Sequence, residues 1–254
     1  MNAELERVAR QALACLDLTR LNDDDTEADI ERLCERAQGR FGSVAAVCVW
    51  PRLAALARRR LPASIAVAAV ANFPQGEAKP ERAQRDVGEI VQAGAQEVDV
   101  VLPWQALLDG DTGAVARVLA ATRRASDGLR LKVILETGML DTAQVSEASR
   151  IALGEGADFL KTSTGKVPVG ATPEAARAML QAIVSDARSA TVGFKASGGV
   201  RSVADAALYL GLVTEHLGSD AGLPARFRIG ASGLLDDIEA VLSGTAAAPD
   251  GGGY

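Results

Sequence analysis

From one end of the chain to the other, short apolar runs alternate with amphipathic stretches, and few folds accept that pattern. The runs at residues 13–18, 44–50, 65–71, 97–102, 131–136, 157–162, 191–196 and 226–231 are mostly valine, isoleucine, leucine and alanine, the composition of strands covered on both faces. Between them, residues 77–94, 112–126, 141–154, 173–188 and 202–217 space their apolar side chains at helical intervals. Capping signals mark several starts: Asp141-Thr142, Thr172-Pro173-Glu174 and Ser202. Strand followed by helix, repeated around eight runs, predicts an α/β protein consisting of a single (β/α)8 TIM barrel, with an extra N-terminal helix at about residues 2–12. The barrel is expected to occupy residues 1–244. The closing TAAAPDGGGY, residues 245–254, can bury little and is expected to form a flexible C-terminal tail. A doubly wound open sheet is the alternative, but no G-x-G-x-x-G follows the first run and the even spacing favours closure.

Composition narrows the function classes. With 27 lysines and arginines against 33 aspartates and glutamates, the net charge is -6, too acidic for a surface that neutralises a nucleic-acid backbone. No apolar stretch reaches the roughly 18 residues of a membrane span. Three cysteines, Cys15, Cys34 and Cys48, without a secretory leader point to a reducing, cytoplasmic setting rather than a disulfide framework. One histidine, His216, within an apparent helix leaves no zinc spacing and no Ser/His or Cys/His triad. No metal or cofactor is implied. The NDDDT stretch at 22–26 reads as a helix cap rather than a cation site. Barrels often pair, so a homodimer is expected.

Lysine usage says more than total charge. The chain has five lysines, Lys79, Lys132, Lys161, Lys166 and Lys195, and otherwise uses arginine. Arginine neither loses its proton nor forms an imine, whereas lysine does both. Lys161 and Lys195 end the sixth and seventh runs, Asp99 lies in the fourth and Asp17 at the end of the first. In a barrel these strand ends converge on one face, whatever their separation in sequence. Lys132, early in the fifth run, is expected toward the opposite, stabilising face. An isolated lysine, with a pKa of about 10.4, is almost wholly protonated at neutral pH; lowering it to near 7 takes about 4 kcal/mol. Burial supplies part of that and a neighbouring ammonium more. Two lysines on adjacent strand ends thus suit an amine nucleophile and its perturbing cation, with a nearby carboxylate to move protons. Cys48, ending the second run, is a small buried hydrophobe placed to line the pocket.

Three glycine-rich turns follow strands six to eight: TSTGK at 162–166, SGGVR at 197–201 and GASG at 230–233. Each leads into a helix N-terminus, where free N–H groups favour an anion, and this end of a barrel is a recurrent phosphate site.

Together, LDLTRLNDDDT, EVDVV, ADFLKTSTGK, GFKASGGVR and RIGASGLL closely resemble the deoxyribose-phosphate aldolases, in order from the first strand to the last. The resemblance implies a metal-independent Schiff-base (class I) aldolase. Such an enzyme cleaves 2-deoxy-D-ribose 5-phosphate reversibly to D-glyceraldehyde 3-phosphate and acetaldehyde in deoxyribonucleoside catabolism. It makes Lys161 the imine-forming lysine, Lys195 its perturbing neighbour and Asp99 the proton carrier, and it puts Asp17 and Cys48 in the substrate pocket. Phosphate contacts carry over to Gly165, Lys166, Gly198, Gly199, Gly230 and Ser232. By the same resemblance Tyr254, at the end of the chain, enters the site and assists proton exchange. Two departures stand out: Gly233 replaces a second serine found in some members, removing one phosphate contact, and KASGG replaces KPAGG. The alternatives are a different imine-forming aldolase acting on a keto acid or ketose phosphate, and a non-catalytic phosphosugar-binding barrel whose lysines are counter-ions only.

Overall fold

A computed structural model describes residues 3–245. Eight parallel strands close into a barrel in chain order. They are β1 (Leu16–Thr19), β2 (Ala46–Val49), β3 (Ala66–Ala71), β4 (Glu97–Val101), β5 (Arg130–Ile134), β6 (Phe159–Lys161), β7 (Gly193–Ser197) and β8 (Phe227–Ala231). Closure is made where β8 returns to β1, with Asp17 opposite Gly230. Each strand lies on one of the eight apolar runs, as expected. The first run is shared: Leu13 and Ala14 finish the N-terminal helix α1 (Ala3–Ala14), and only Leu16–Thr19 pair.

The outer layer comprises α2 (Glu27–Arg36), α3 (Pro51–Arg60), α4 (Pro80–Gln92), α5 (Trp104–Leu108), α6 (Thr112–Ala125), α7 (Thr142–Gly154), α8 (Pro173–Ser185), α9 (Val203–Leu217) and α10 (Leu234–Ser243). A two-residue antiparallel ribbon, Gln38–Gly39 with Gly42–Ser43, follows α2. The capping signals are realised. Asp141 and Ser202 form capping boxes with Gln144 and Asp205, and the Thr172 side chain accepts from the Ala175 N–H. The acidic NDDDT run also resolves into a cap: Thr26 closes a capping box with Asp29, and Asp25 accepts from the Asn22 N–H. His216 lies in the last turn of α9, its ring nitrogen bonded to the Leu212 carbonyl.

Strand alternation sorts side chains into two compartments. Leu131, Val133, Leu160, Phe194, Ala196 and Ile229 face outward and share one core with helical residues such as Val87, Ile90, Val115 and Met179. The barrel interior is divided. On the β2–β5 side Cys48, Ala68, Val70, Val101 and Ile134 form a separate apolar cluster with Leu21 and Phe73. The Trp50 and Phe73 rings meet edge to face at 5.4 Å, and Trp50 and Trp104 pack against that cluster as rim residues. Most of the rest of the interior is ionic: Asp17, Glu97, Asp99, Lys132, Lys161, Lys195 and Arg228 are all buried, with Phe159 among them.

Candidate active site

Charged groups are almost never fully buried unless paired, and here the pairing is specific. Register sets Lys161 beside Lys195 across β6 and β7, and Asp99 beside Lys132 across β4 and β5. The amines of Lys161 and Lys195 both reach Asp99 Oδ2, at 2.9 and 2.8 Å. Lys132 Nζ takes the other oxygen, Oδ1, at 2.7 Å. One carboxylate therefore joins three lysines. Below it, Lys195 also binds Asp17 Oδ2 at 2.5 Å, Lys132 binds Glu97 Oε2 at 2.6 Å, and Arg228 holds Asp17 Oδ1 at 2.6 Å and Glu97 Oε1 at 2.9 Å. Gly230 makes this possible: a Cβ there would lie 2.9 Å from Lys195 Cε and 2.9 Å from Ser197 Cβ.

The electrostatics follow from these contacts. Burial alone would raise the Asp99 carboxyl, but Lys132, Lys161 and Lys195 outweigh it and hold it well below the usual carboxylate range. Asp17 is also depressed, burial being overcome by Lys195 and Arg228. Burial works against the Lys195 and Lys132 ammonium groups, yet their carboxylates win and hold both above the ordinary lysine value. Both stay cationic. Lys161 differs in geometry: among the described residues its one ion pair is to Asp99 Oδ2, which it shares with Lys195.

Above the cluster a cavity of about 980 Å³ opens, reaching Lys161 at its floor. Thr164, Gly165 and Lys166 line one wall, Gly198, Gly199 and Arg201 another, and Gly230, Ser232 and Gly233 a third. Gly165, Gly198 and Gly199 have φ of 79°, 85° and 87°, the left-handed region that a side chain resists. Gly170 packs so closely on Gly198 that a Cβ would lie 2.3 Å from the Gly198 carbonyl oxygen. Of the three helix N-termini behind these turns, α8 is capped by the Thr172 side chain and α9 by its own capping box, whereas α10 starts from Gly233 with no side-chain cap. The α10 terminus is the one open to an exogenous anion.

The structure thus brings Lys161, Lys195 and Asp99 into direct contact and gathers Gly165, Lys166, Gly198, Gly199, Gly230 and Ser232 around one cavity. Asp17 and Cys48 are fully buried. Both Asp17 oxygens are engaged by Lys195 and Arg228, so it fixes Lys195. Cys48 Sγ lies 3.9 Å from Asp99 Oδ2, and burial, then the Asp99 charge, pushes its thiol up; it is an uncharged wall. Tyr254 lies outside the described residues. Lys132 corrects the expectation from its place early in β5: its side chain points inward and its four-carbon stem carries the amine up to Asp99. Glu97 and Arg228 were not anticipated, although their signal was present: each is a charge alternating with apolar residues in a buried strand, in phase with Asp99 and Gly230.

Comparison with known proteins gives the family and agrees with the fold. The sequence model of the DeoC/LacD family aldolases matches residues 11–234. A deoxyribose-phosphate aldolase of Agrobacterium fabrum is 45% identical over 261 residues, covering 100% of both chains. Among solved structures, the tetrameric deoxyribose phosphate aldolase of Aeropyrum pernix superposes with a TM-score of 0.74 at 26% identity, over 96% of this chain and 99% of that one. A Toxoplasma gondii chain, at 22% identity, matches in fold with a TM-score of 0.86 over 96% of this chain and 97% of its own.

Proposed function

The chain belongs to the DeoC/LacD family of aldolases, and from that premise we propose that it is a Schiff-base aldolase of deoxyribonucleoside catabolism, cleaving 2-deoxy-D-ribose 5-phosphate reversibly to D-glyceraldehyde 3-phosphate and acetaldehyde. The observation that carries this reading is the sharing of Asp99 Oδ2 by Lys161 and Lys195 at the floor of a glycine-walled cavity. An amine must reach the carbonyl it attacks, and among the described residues Lys161 is the buried lysine that lines the cavity. Lys195, held as a cation by Asp17 and Asp99, keeps a positive charge beside it.

In the proposed sequence Lys161 Nζ adds to the C1 aldehyde of the open-chain sugar, and the carbinolamine loses water to give a protonated imine. Counting carbons places the scission at C2–C3. The C3 hydroxyl gives up its proton, the C2–C3 electron pair moves into the imine, and C3 to C5 leave as glyceraldehyde 3-phosphate. The remaining enamine takes a proton at C2 and is hydrolysed to acetaldehyde. Asp99, bonded to both amines, is the relay for the protons that leave and return. The phosphate lies against the three glycine turns and the open α10 N-terminus, with Lys166 as a point charge, and its binding energy orients the distant reacting carbons. The apolar cluster of Cys48, Val70, Phe73 and Ile134 suits the methyl end of the two-carbon fragment. Every oxygen of Asp17 and Asp99 is engaged by a lysine or arginine, and in this sequence the protonated imine is the electron sink.

Borohydride reduction in the presence of acetaldehyde is expected to leave a two-carbon adduct on Lys161, located by peptide mapping, and Lys161→Arg is expected to abolish both adduct and turnover. Full activity in Lys161→Arg overturns the assignment. Faster turnover of a keto acid or ketose phosphate than of deoxyribose phosphate overturns the substrate.

A further inference from the structure

One buried carboxylate stands outside the mechanism above. Glu136, two residues beyond the end of β5, is 1% exposed and has a φ of 58°, a left-handed conformation in a residue that is not glycine. That conformation costs on the order of 1 kcal/mol or more and persists only where surrounding contacts enforce it. The contacts are clear. Glu136 Oε1 accepts from the Thr164 N–H at 3.1 Å, and Oε2 accepts from the Thr164 hydroxyl at 2.5 Å. Thr164 Oγ1 in turn accepts from the Lys166 N–H at 3.0 Å. The chain on either side is tied to the same strand end: the Leu135 N–H donates to the Lys161 carbonyl at 2.9 Å and the Thr137 N–H to the Thr162 carbonyl at 3.0 Å. A carboxylate is costly to bury unless its oxygens are hydrogen-bonded, and here both oxygens are used on one threonine of the 162–166 turn.

We propose that Glu136 is a positioning residue that shapes the Thr164–Gly165–Lys166 turn for the substrate phosphate. The hydrogen bonds of Glu136 and Lys161 go to different partners. Lys161 is held by the strand ladder with β5 and β7 and by Asp99, none of which passes through the Glu136 side chain. The turn, by contrast, has its Thr164 side chain and N–H fixed by Glu136, with Gly165 at φ 79° immediately after. Burial raises the Glu136 carboxyl above its ordinary value, while the Thr164 bonds and the Lys161 charge pull it down. Its role here is as an acceptor of fixed position, and glutamine can fill that role. Its amide oxygen accepts from the Thr164 N–H, and its N–H donates to the Thr164 hydroxyl.

The inference rests on the phosphate reading proposed above, and one comparison separates the two. Steady-state kinetics of Glu136→Ala and Glu136→Gln are measured with 2-deoxyribose 5-phosphate and with unphosphorylated 2-deoxyribose. Loss of hydrogen bonds that involve a charged group is expected to lower the ratio of kcat/KM for the phosphorylated over the unphosphorylated sugar about tenfold in Glu136→Ala, chiefly through KM. Glu136→Gln is expected to restore most of that ratio. An equal loss on both sugars, no loss on either, or a glutamine variant as impaired as alanine overturns the proposal. Should Glu136→Ala fail to fold, Thr164→Val removes the same hydroxyl and must lower the same ratio; an unchanged ratio there is equally fatal. A wild-type enzyme that cleaves neither sugar sinks the aldolase reading and this inference with it, whereas the other outcomes, on an active wild type, sink the inference alone.

Discussion

Gly230→Ala tests whether Lys195 must sit where it does. The added methyl would lie 2.9 Å from Lys195 Cε and 2.9 Å from Ser197 Cβ, where ordinary Cβ contacts begin near 3.4 Å. Something must move by about 0.5 Å. Ser197 cannot yield easily, because its N–H donates to Thr162 Oγ1 at 2.9 Å and its hydroxyl donates to the Ser163 carbonyl at 2.5 Å. The lysine stem is the softer neighbour, but its amine is pinned between Asp17 Oδ2 and Asp99 Oδ2 at 2.5 and 2.8 Å. Overpacking of this kind costs about 1–3 kcal/mol of stability. Since a displacement of about 1 Å at a reacting centre costs roughly a hundredfold in rate, half of that predicts a fall in kcat of about tenfold. Urea denaturation reads the first quantity and coupled detection of glyceraldehyde 3-phosphate the second. Gly211→Ala is the control: it is exposed, mid-way along α9, with nothing within 4 Å of an added Cβ. It should gain about 0.5–1 kcal/mol in stability and leave kcat alone. A Gly230→Ala enzyme with wild-type kcat and wild-type stability refutes the argument that this glycine exists to let Lys195 cross the barrel.

Stability is expected to be bounded by pH on both sides. Asp17 and Asp99 are held below the ordinary carboxylate value, so their contribution is complete above about pH 4 and is lost as pH falls through their folded values. Lys132 and Lys195 are held above the ordinary lysine value, so theirs is complete below about pH 10.4 and is lost as pH rises through their folded values. Melting temperature followed against pH should show a plateau with a fall at each extreme, and constant stability down to pH 2 contradicts the buried pairing. Ser202→Ala, which removes the reciprocal cap with Asp205 at the start of α9, should cost about 1 kcal/mol by urea denaturation without changing KM for the phosphorylated sugar; a raised KM would place the α9 N-terminus in the phosphate site after all.

Much of this site could be read in the chain because barrel geometry converts sequence position into spatial position. Once the alternating runs are recognised as strands, Lys161, Lys195 and Asp99 must converge, and the glycine turns after β6, β7 and β8 must lie together. The period-two rule goes further than strand ends. It puts Glu97 with Asp99, and Arg228 with Gly230, on the inward face. Applied to β5 it also sends Lys132 inward, and only the reach of its stem, a length of chain rather than a residue position, decides that the amine arrives at Asp99 instead of staying at the lower face. The charge state of the lysines was less legible still. Proximity of two ammonium groups argues that each weakens the other's hold on its proton, yet Lys195 is held above the ordinary value because two carboxylates meet it. The direction for Lys195 is therefore set by its carboxylate contacts, not by the like-charge pair. Asp17 and Arg228, 211 residues apart and bonded at 2.6 Å, fix those contacts from beneath, and no local motif announces them. If Lys161 is the reacting amine as proposed, changes at Arg228 or Lys132, which hold Asp17, Glu97 and Asp99 from below, should register in its chemistry without either residue touching the substrate.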